Sequence, residues 1–274
     1  MAAPVAAVLA VVLAAAAACT PATPSGEAVD RAPSSAPATR PVDATPAARA
    51  TPLAGRVVVL DPGHQLGNAR HPAKINRLVP AGPQGRKPCN TTGTSTNAGY
   101  PEATFVWRVA TRVQRRLTRL GARVVLTRHS NRLDRWGPCV DARGRAGNRL
   151  GADLKVSLHA DGSYAAGARG FHVIAPERLH GWTDDIARPS LRAARVMRTA
   201  LRRHGFPVST YLGRRGLDRR GDLATLNLSD VPTVMLELGN MRNARDARAM
   251  TRPRGQARYA RAVVAGVRTA VGGR

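Results

Sequence analysis

Two histidines and two glutamates carry the chemistry that this sequence suggests. His64 follows four apolar residues in VVVLDPGHQLGN, Glu102 opens PEATF, His159 closes DLKVSLHAD, and Glu237 stands near the end of VPTVMLELGN. Two imidazoles and one carboxylate form the donor set of a catalytic zinc ion, which keeps a fourth position for solvent. A second carboxylate then serves as the proton shuttle of a hydrolase. Each residue also has a plainer reading. His64 is then a turn residue, His159 a core histidine with a backbone partner, and Glu102 a carboxylate favoured by the positive end of its helix. Glu237 resists such a reading, because a carboxylate inside an apolar strand needs a partner or a metal. Asp61 is expected to brace the turn, and Gly63 to let the backbone turn sharply. His71, His129, His172, His180 and His204 lie in loops, in a strand or at a helix end, and are not expected to be ligands.

The elements that would position these residues follow from periodicity. Short apolar runs predict strands at 56–61, 122–128, 153–161, 170–176 and 231–240. Residues 101–121 predict a helix, with Pro101 in the first turn, Gly121 at the exit, and Val106, Ala110, Val113, Leu117 and Leu120 on one face. Further helices are expected at 140–150, 190–205, 243–250 and 255–270. Strands alternating with helices predict an α/β fold: one catalytic domain built on an open, mostly parallel, twisted sheet with helices on both faces. Ligands of such sheets bind outside the carboxyl ends of the strands. His64, His159 and Glu237 all fall at such ends, and Glu102 opens the helix after the long loop 65–100.

The chain has 274 residues and a formal net charge of +26. It has only three lysines, Lys74, Lys87 and Lys155, so the charge is carried by arginine. Either a GC-rich genome or attraction to a polyanion such as anionic lipid or wall accounts for that. Aromatic residues make up 4% of the chain, and no nucleic-acid-binding pattern is visible, so nucleic acid is not the expected partner. Residues 1–19 resemble a secretory signal, although no Lys or Arg precedes the apolar run. The AAAC ending is similar to a lipobox with Cys19 as the acylated residue, although Ala16 stands where Leu is usual; lipidation and simple secretion both stay open. Residues 20–52, rich in Pro, Ala and Thr, predict a disordered tether, and 53–274 the catalytic domain. Cys89 and Cys139 lie fifty positions apart without CxxC spacing. An exported chain favours a disulfide between them, stabilising by roughly 4 kcal/mol; two unrelated buried thiols are the alternative.

VVVLDPGH, PEATF, SLHAD and VPTVMLELGN occur in the order found in zinc-dependent N-acetylmuramoyl-L-alanine amidases of the amidase 3 family, and residues 56–270 resemble that family throughout. INRLVPAGPQG, CNTTGTSTNAGYPE and GPCVDAR are similar to its actinobacterial, mycobacterial-type branch. The resemblance implies that His64, Glu102 and His159 ligate Zn2+, that Glu237 is the catalytic glutamate, and that Cys89 and Cys139 pair. It implies hydrolysis of the amide between N-acetylmuramic acid and L-alanine of peptidoglycan or its fragments, by an exported, monomeric enzyme of the cell envelope. A lipid on Cys19 would attach it to the membrane. Gln65 stands where many members have glycine, and Asn240 where many have an aromatic residue, which bears on substrate fit and loop shape. Two rival functions remain: a zinc peptidase cutting within the stem peptide, and a non-catalytic cationic module that binds wall or lipid.

Overall fold

The computed structural model describes residues 51–272. The signal segment 1–19 with Cys19, and nearly all of the tether 20–52, lie outside the described residues. Eight strands and seven helices follow in the order β1 (Val57–Pro62), α1 (Pro72–Ile75), β2 (Leu78–Pro80), β3 (Arg86–Pro88), α2 (Glu102–Arg119), β4 (Arg123–Leu126), α3 (Val140–Arg145), β5 (Leu154–Asp161), β6 (His172–Pro176), α4 (Ala187–Arg203), β7 (Leu217–Arg220), α5 (Ala224–Asn227), β8 (Thr233–Asn240), α6 (Ala244–Thr251) and α7 (Pro253–Val271). Six strands form one sheet in the order β4-β1-β5-β8-β6-β7, and β2 and β3 form a separate antiparallel hairpin.

The sheet is mostly parallel, as the alternation of strands and helices predicts. β4, β1, β5 and β8 run together, whereas β6 is antiparallel to β8 and carries β7 parallel to itself. Alternation along the central strands separates two faces. Val58, Leu60, Leu154, Val156, Leu158, Val234, Leu236 and Leu238 turn to one side and pack against the apolar stripes of α2, α4 and α7. Phe105, Val109 and Val113 of α2, Met197 of α4, and Tyr259 and Val263 of α7 are fully buried in that core. Tyr259 stacks on Phe206 and meets Phe105 edge-on.

The other face sets buried polar residues among apolar ones such as Val59 and Met235. Asp61 of β1 and Lys155 and Ser157 of β5 are all fully buried there. The Lys155 ammonium donates to the carbonyls of Arg143, Gly144 and Thr225. It thereby fastens α3 and α5 onto the sheet, while burial pushes its pKa down to about 7. α3 is shorter than the predicted 140–150 helix. It stops at Arg145, and Gly147 and Gly151 take positive φ on either side of a single 3-10 turn, Asn148–Leu150. A disulfide joins Cys89 to Cys139, tying the end of the hairpin segment to the start of α3.

Candidate metal centre

The β1 strand ends in a turn that delivers His64 with φ at 53°, a conformation that side chains other than glycine adopt only when held there. Two buried arginines hold it. Arg143 donates to Asp61 Oδ1 (2.6 Å), the Pro62 carbonyl (2.8 Å) and the His64 carbonyl (2.7 Å). Arg128 donates to the carbonyls of Pro62 (2.9 Å), Gly63 (3.2 Å) and Ala103 (2.8 Å), so the turn is tied to the first turn of α2 as well. Neither arginine is distinguishable in the sequence from the many others, because each acts through carbonyls distant in the chain. Asp61 braces the turn as expected. Its carboxylate accepts from Arg143, Thr127 and Ser157. Burial alone would raise its pKa; Arg143 and the two hydroxyls more than reverse that and hold it at about 2.

Among the described residues, His64, Glu102 and His159 form the group able to hold a metal ion, their ligand atoms lying within 4.8 Å of one another. Glu102 Oε1 lies 3.2 Å from His64 Nε2 and 3.0 Å from His159 Nδ1. A tetrahedral zinc ion with bonds of about 2.0–2.1 Å needs its donors about 3.3 Å apart, so these separations and this donor set fit the ion. The tautomer of His64 suits ligation too: Nδ1 faces the Thr91 carbonyl at 3.1 Å, which leaves the Nε2 lone pair turned toward Glu102. Glu102 is held in turn by the backbone N–H of Thr94 and of Ala160. Burial works against its charge, but the charges and hydrogen bonds of His64 and His159 hold its carboxyl well below the usual range.

Space around the cluster is set by two glycines. A Cβ on Gly63 would lie 2.3 Å from the His159 ring, and one on Gly93 would lie 2.9 Å from both Glu102 Oε2 and the His64 ring. The strand pairing brings in the fourth residue. His159 and Glu237 are register partners on β5 and β8, and the register shifts just beyond, between His159 and Asp161. Glu237 is partly buried, and its Oε2 is out of solvent with no hydrogen-bond partner in the protein. Burial first, then the negative charges of Glu102 and Asp161, raise its pKa well above the ordinary carboxyl value, with Arg220 opposing. His64, His159 and Glu237 line a cavity of about 340 Å³, together with Lys87, Thr91, Asp222 and Thr225.

All four residues singled out in the sequence therefore meet at one edge of the sheet. His172 lies outside the ligand group. It is buried on β6, as the register partner of Glu237. The two departures from the family pattern point away from the ligands. Gln65 is buried and bonds to the backbone of Leu66, Ser130 and Arg132, where it shapes the loop after β4. Asn240 donates to the carbonyls of Ser163 and Ala168 and so braces the loop after β5. That loop carries Tyr164, 78% exposed, with the Arg242 guanidinium over its ring.

Comparison with known proteins shows the family. Residues 58–269 match the family model described as N-acetylmuramoyl-L-alanine amidase. The chain is 45% identical over 223 residues to N-acetylmuramoyl-L-alanine amidase Rv3717 of Mycobacterium tuberculosis, covering 80% of this chain and 89% of that relative. The solved structure of Ami1, an N-acetylmuramyl-L-alanine amidase of Mycobacterium smegmatis, matches with a TM-score of 0.75 at 41% identity, over 81% of this chain and 99% of that one. The apo form of Ami1 from Mycobacterium abscessus matches with a TM-score of 0.74 at 44% identity, over 80% and 99%.

Proposed function

The chain belongs to the N-acetylmuramoyl-L-alanine amidase family, its activity is amide hydrolysis on peptidoglycan, and from that premise we propose how its residues divide the work. His64 Nε2, Glu102 and His159 Nδ1 would hold a zinc ion. Lewis acidity is the chemistry such an ion supplies there, acidifying solvent and polarising a carbonyl. Glu237 acts as general base and then general acid. Its unpartnered Oε2 takes a proton from the attacking water as the water oxygen bonds to the lactyl carbonyl carbon. As the carbon–nitrogen bond breaks, the same proton passes to the nitrogen of L-alanine, and the water's second proton leaves the new carboxyl group for the freed amine, so that the sugar keeps a carboxylate and the peptide a charged amino terminus. Arg143 and Arg128 fix the His64 turn through its backbone carbonyls. The buried, unpartnered carboxylate oxygen beside the His-Glu-His cluster carries this reading.

We place the enzyme outside the cytoplasm, delivered by residues 1–19 and tethered by 20–52. The Cys89–Cys139 bond supports an oxidising compartment. An acyl chain on Cys19 would hold it at the membrane.

Metal analysis and mass spectrometry of a peptidoglycan digest test the assignment together. The wild-type protein should carry about one zinc per chain and release intact stem peptide beginning at L-alanine. Glu237→Gln should keep the metal and lose turnover by about 10²–10⁴-fold or more. Products cut within the stem would replace this reading with that of a peptidase, and normal turnover in Glu237→Gln would remove Glu237 from its role.

A further inference from the structure

The helical layer over the apolar face of the sheet segregates charge. α2 carries five arginines, and its one carboxylate is the buried Glu102. α4 carries six arginines and no carboxylate. α7 carries four arginines and no carboxylate, and the single acid of α6, Asp246, is buried against the Gly170 and Asn240 amides. Among the described residues no arginine of these helices pairs with a carboxylate. The exposed ion pairs Arg132–Asp134, Arg145–Asp141 and Arg220–Asp222 lie instead in α3, at the end of β7 and in loops. A compositional bias raises arginine throughout a chain, but it does not sort the acids away from one layer.

We propose that the outer surface of α2, α4 and α7 is a docking face for an anionic phospholipid bilayer. Three observations favour a membrane over an anionic wall polymer. The cationic surface is broad, spanning three adjacent helices, rather than a stripe leading to the cavity. It lies on the side of the sheet opposite α3 and α5, whose residues wall the cavity. Docked by this layer, the enzyme turns its cavity away from the lipid. Cations near the cavity, by contrast, are neutralised by acids, as Lys87 and Arg220 are by Asp222. Arginine also suits the ligand, since its planar fork takes a phosphate through two parallel hydrogen bonds. The edge of the layer offers a groove of about 420 Å³, lined by arginines that include Arg245, Arg252, Arg258 and Arg261, which can seat phosphate headgroups.

The test uses the full chain carrying Cys19→Ser, so that no acyl chain contributes, and vesicles of phosphatidylglycerol mixed with phosphatidylcholine. The protein should sediment with these vesicles at low salt, release at high salt, and ignore pure phosphatidylcholine. Each arginine near such a surface is worth about fivefold in partitioning. Combined Arg115→Glu, Arg119→Glu, Arg195→Glu and Arg202→Glu should therefore weaken binding by about 600-fold, while turnover of a soluble muropeptide stays unchanged. The same four positions changed to Gln serve if charge reversal impairs folding, with a smaller loss in the same direction. Equal binding by wild type and variants, no binding to anionic vesicles, or binding to isolated wall polymer with none to vesicles overturns the proposal. Amidase turnover is read separately, so a failure here leaves the reading of the active site standing, and the reverse also holds.

Discussion

One face of the sheet is built to be dry and the other to hold charge. On the first, Leu60, Val156, Leu158 and Leu236 meet α2, α4 and α7 with no polar side chain from the central strands between them. On the second, one residue further along the same strands, stand Asp61, Lys155, Ser157, His159 and Glu237. The difference teaches where stability and chemistry are lodged. A dispersion-packed layer is non-directional and averages over many contacts. A buried polar layer must satisfy each group individually. Asp61, Ser157 and Lys155 are so satisfied, whereas Glu237 Oε2 is left without a partner. Of the buried groups without a partner, among them Thr233 Oγ1 and His172 Nδ1, Glu237 Oε2 is the carboxylate, and it is the one assigned to move a proton.

If the division is real, damage to the two faces should read out differently. The largest effect is expected on the polar face. His159→Ala should abolish bound zinc and reduce turnover to background while the thermal transition of the metal-free protein shifts little, measured by elemental analysis, product release and calorimetry. Retained metal in that variant would break the comparison. On the apolar face, Phe105→Ala should cost about 3–5 kcal/mol in denaturant unfolding and leave kcat of the folded fraction near wild type.

Between these lies Asp61, polar yet structural. Its carboxyl has a folded value of about 2 against an ordinary 3.8. A depressed value stabilises above the ordinary one, so the contribution is complete at neutral pH. It drains away as pH falls from about 4 to about 2, and amounts to something on the order of 2 kcal/mol. Asp61→Asn should be less stable at neutral pH and show a flatter acid limb. An unchanged limb would assign acid sensitivity elsewhere. The smallest effect is expected at Asn240. Asn240→Ala removes two bonds to the 163–168 loop, for about 1 kcal/mol each, and should raise KM more than it lowers kcat.

Much of this was legible in the sequence because one face is so regular. The alternating strand residues and the α2 stripe at 106, 110, 113 and 117 announce their elements, and a polar residue closing an apolar strand announces a site. What stayed hidden depends on tertiary direction. An apolar run such as 172–176 carries no sign of which way it enters a sheet, so the antiparallel β6 was not foreseen. β7, with the sequence LDRR, is an edge strand without apolar alternation. The β2–β3 hairpin has only three residues per strand. Arg128 and Arg143 work by reaching backbone carbonyls 25 to 81 residues away, a pattern that leaves no periodic trace.

Gly63 has the fewest atoms to lose and the least freedom to change. The methyl group of alanine there would occupy the place of the His159 imidazole, 2.3 Å from its Cε1, so β1 and β5 can sit this close only while position 63 stays bare. In a saturation library scored for enzymatic survival, this residue, which has no side chain to offer the reaction, should rank with His64 and Glu102 among the least replaceable. A survey that looks only for reactive groups would pass over it.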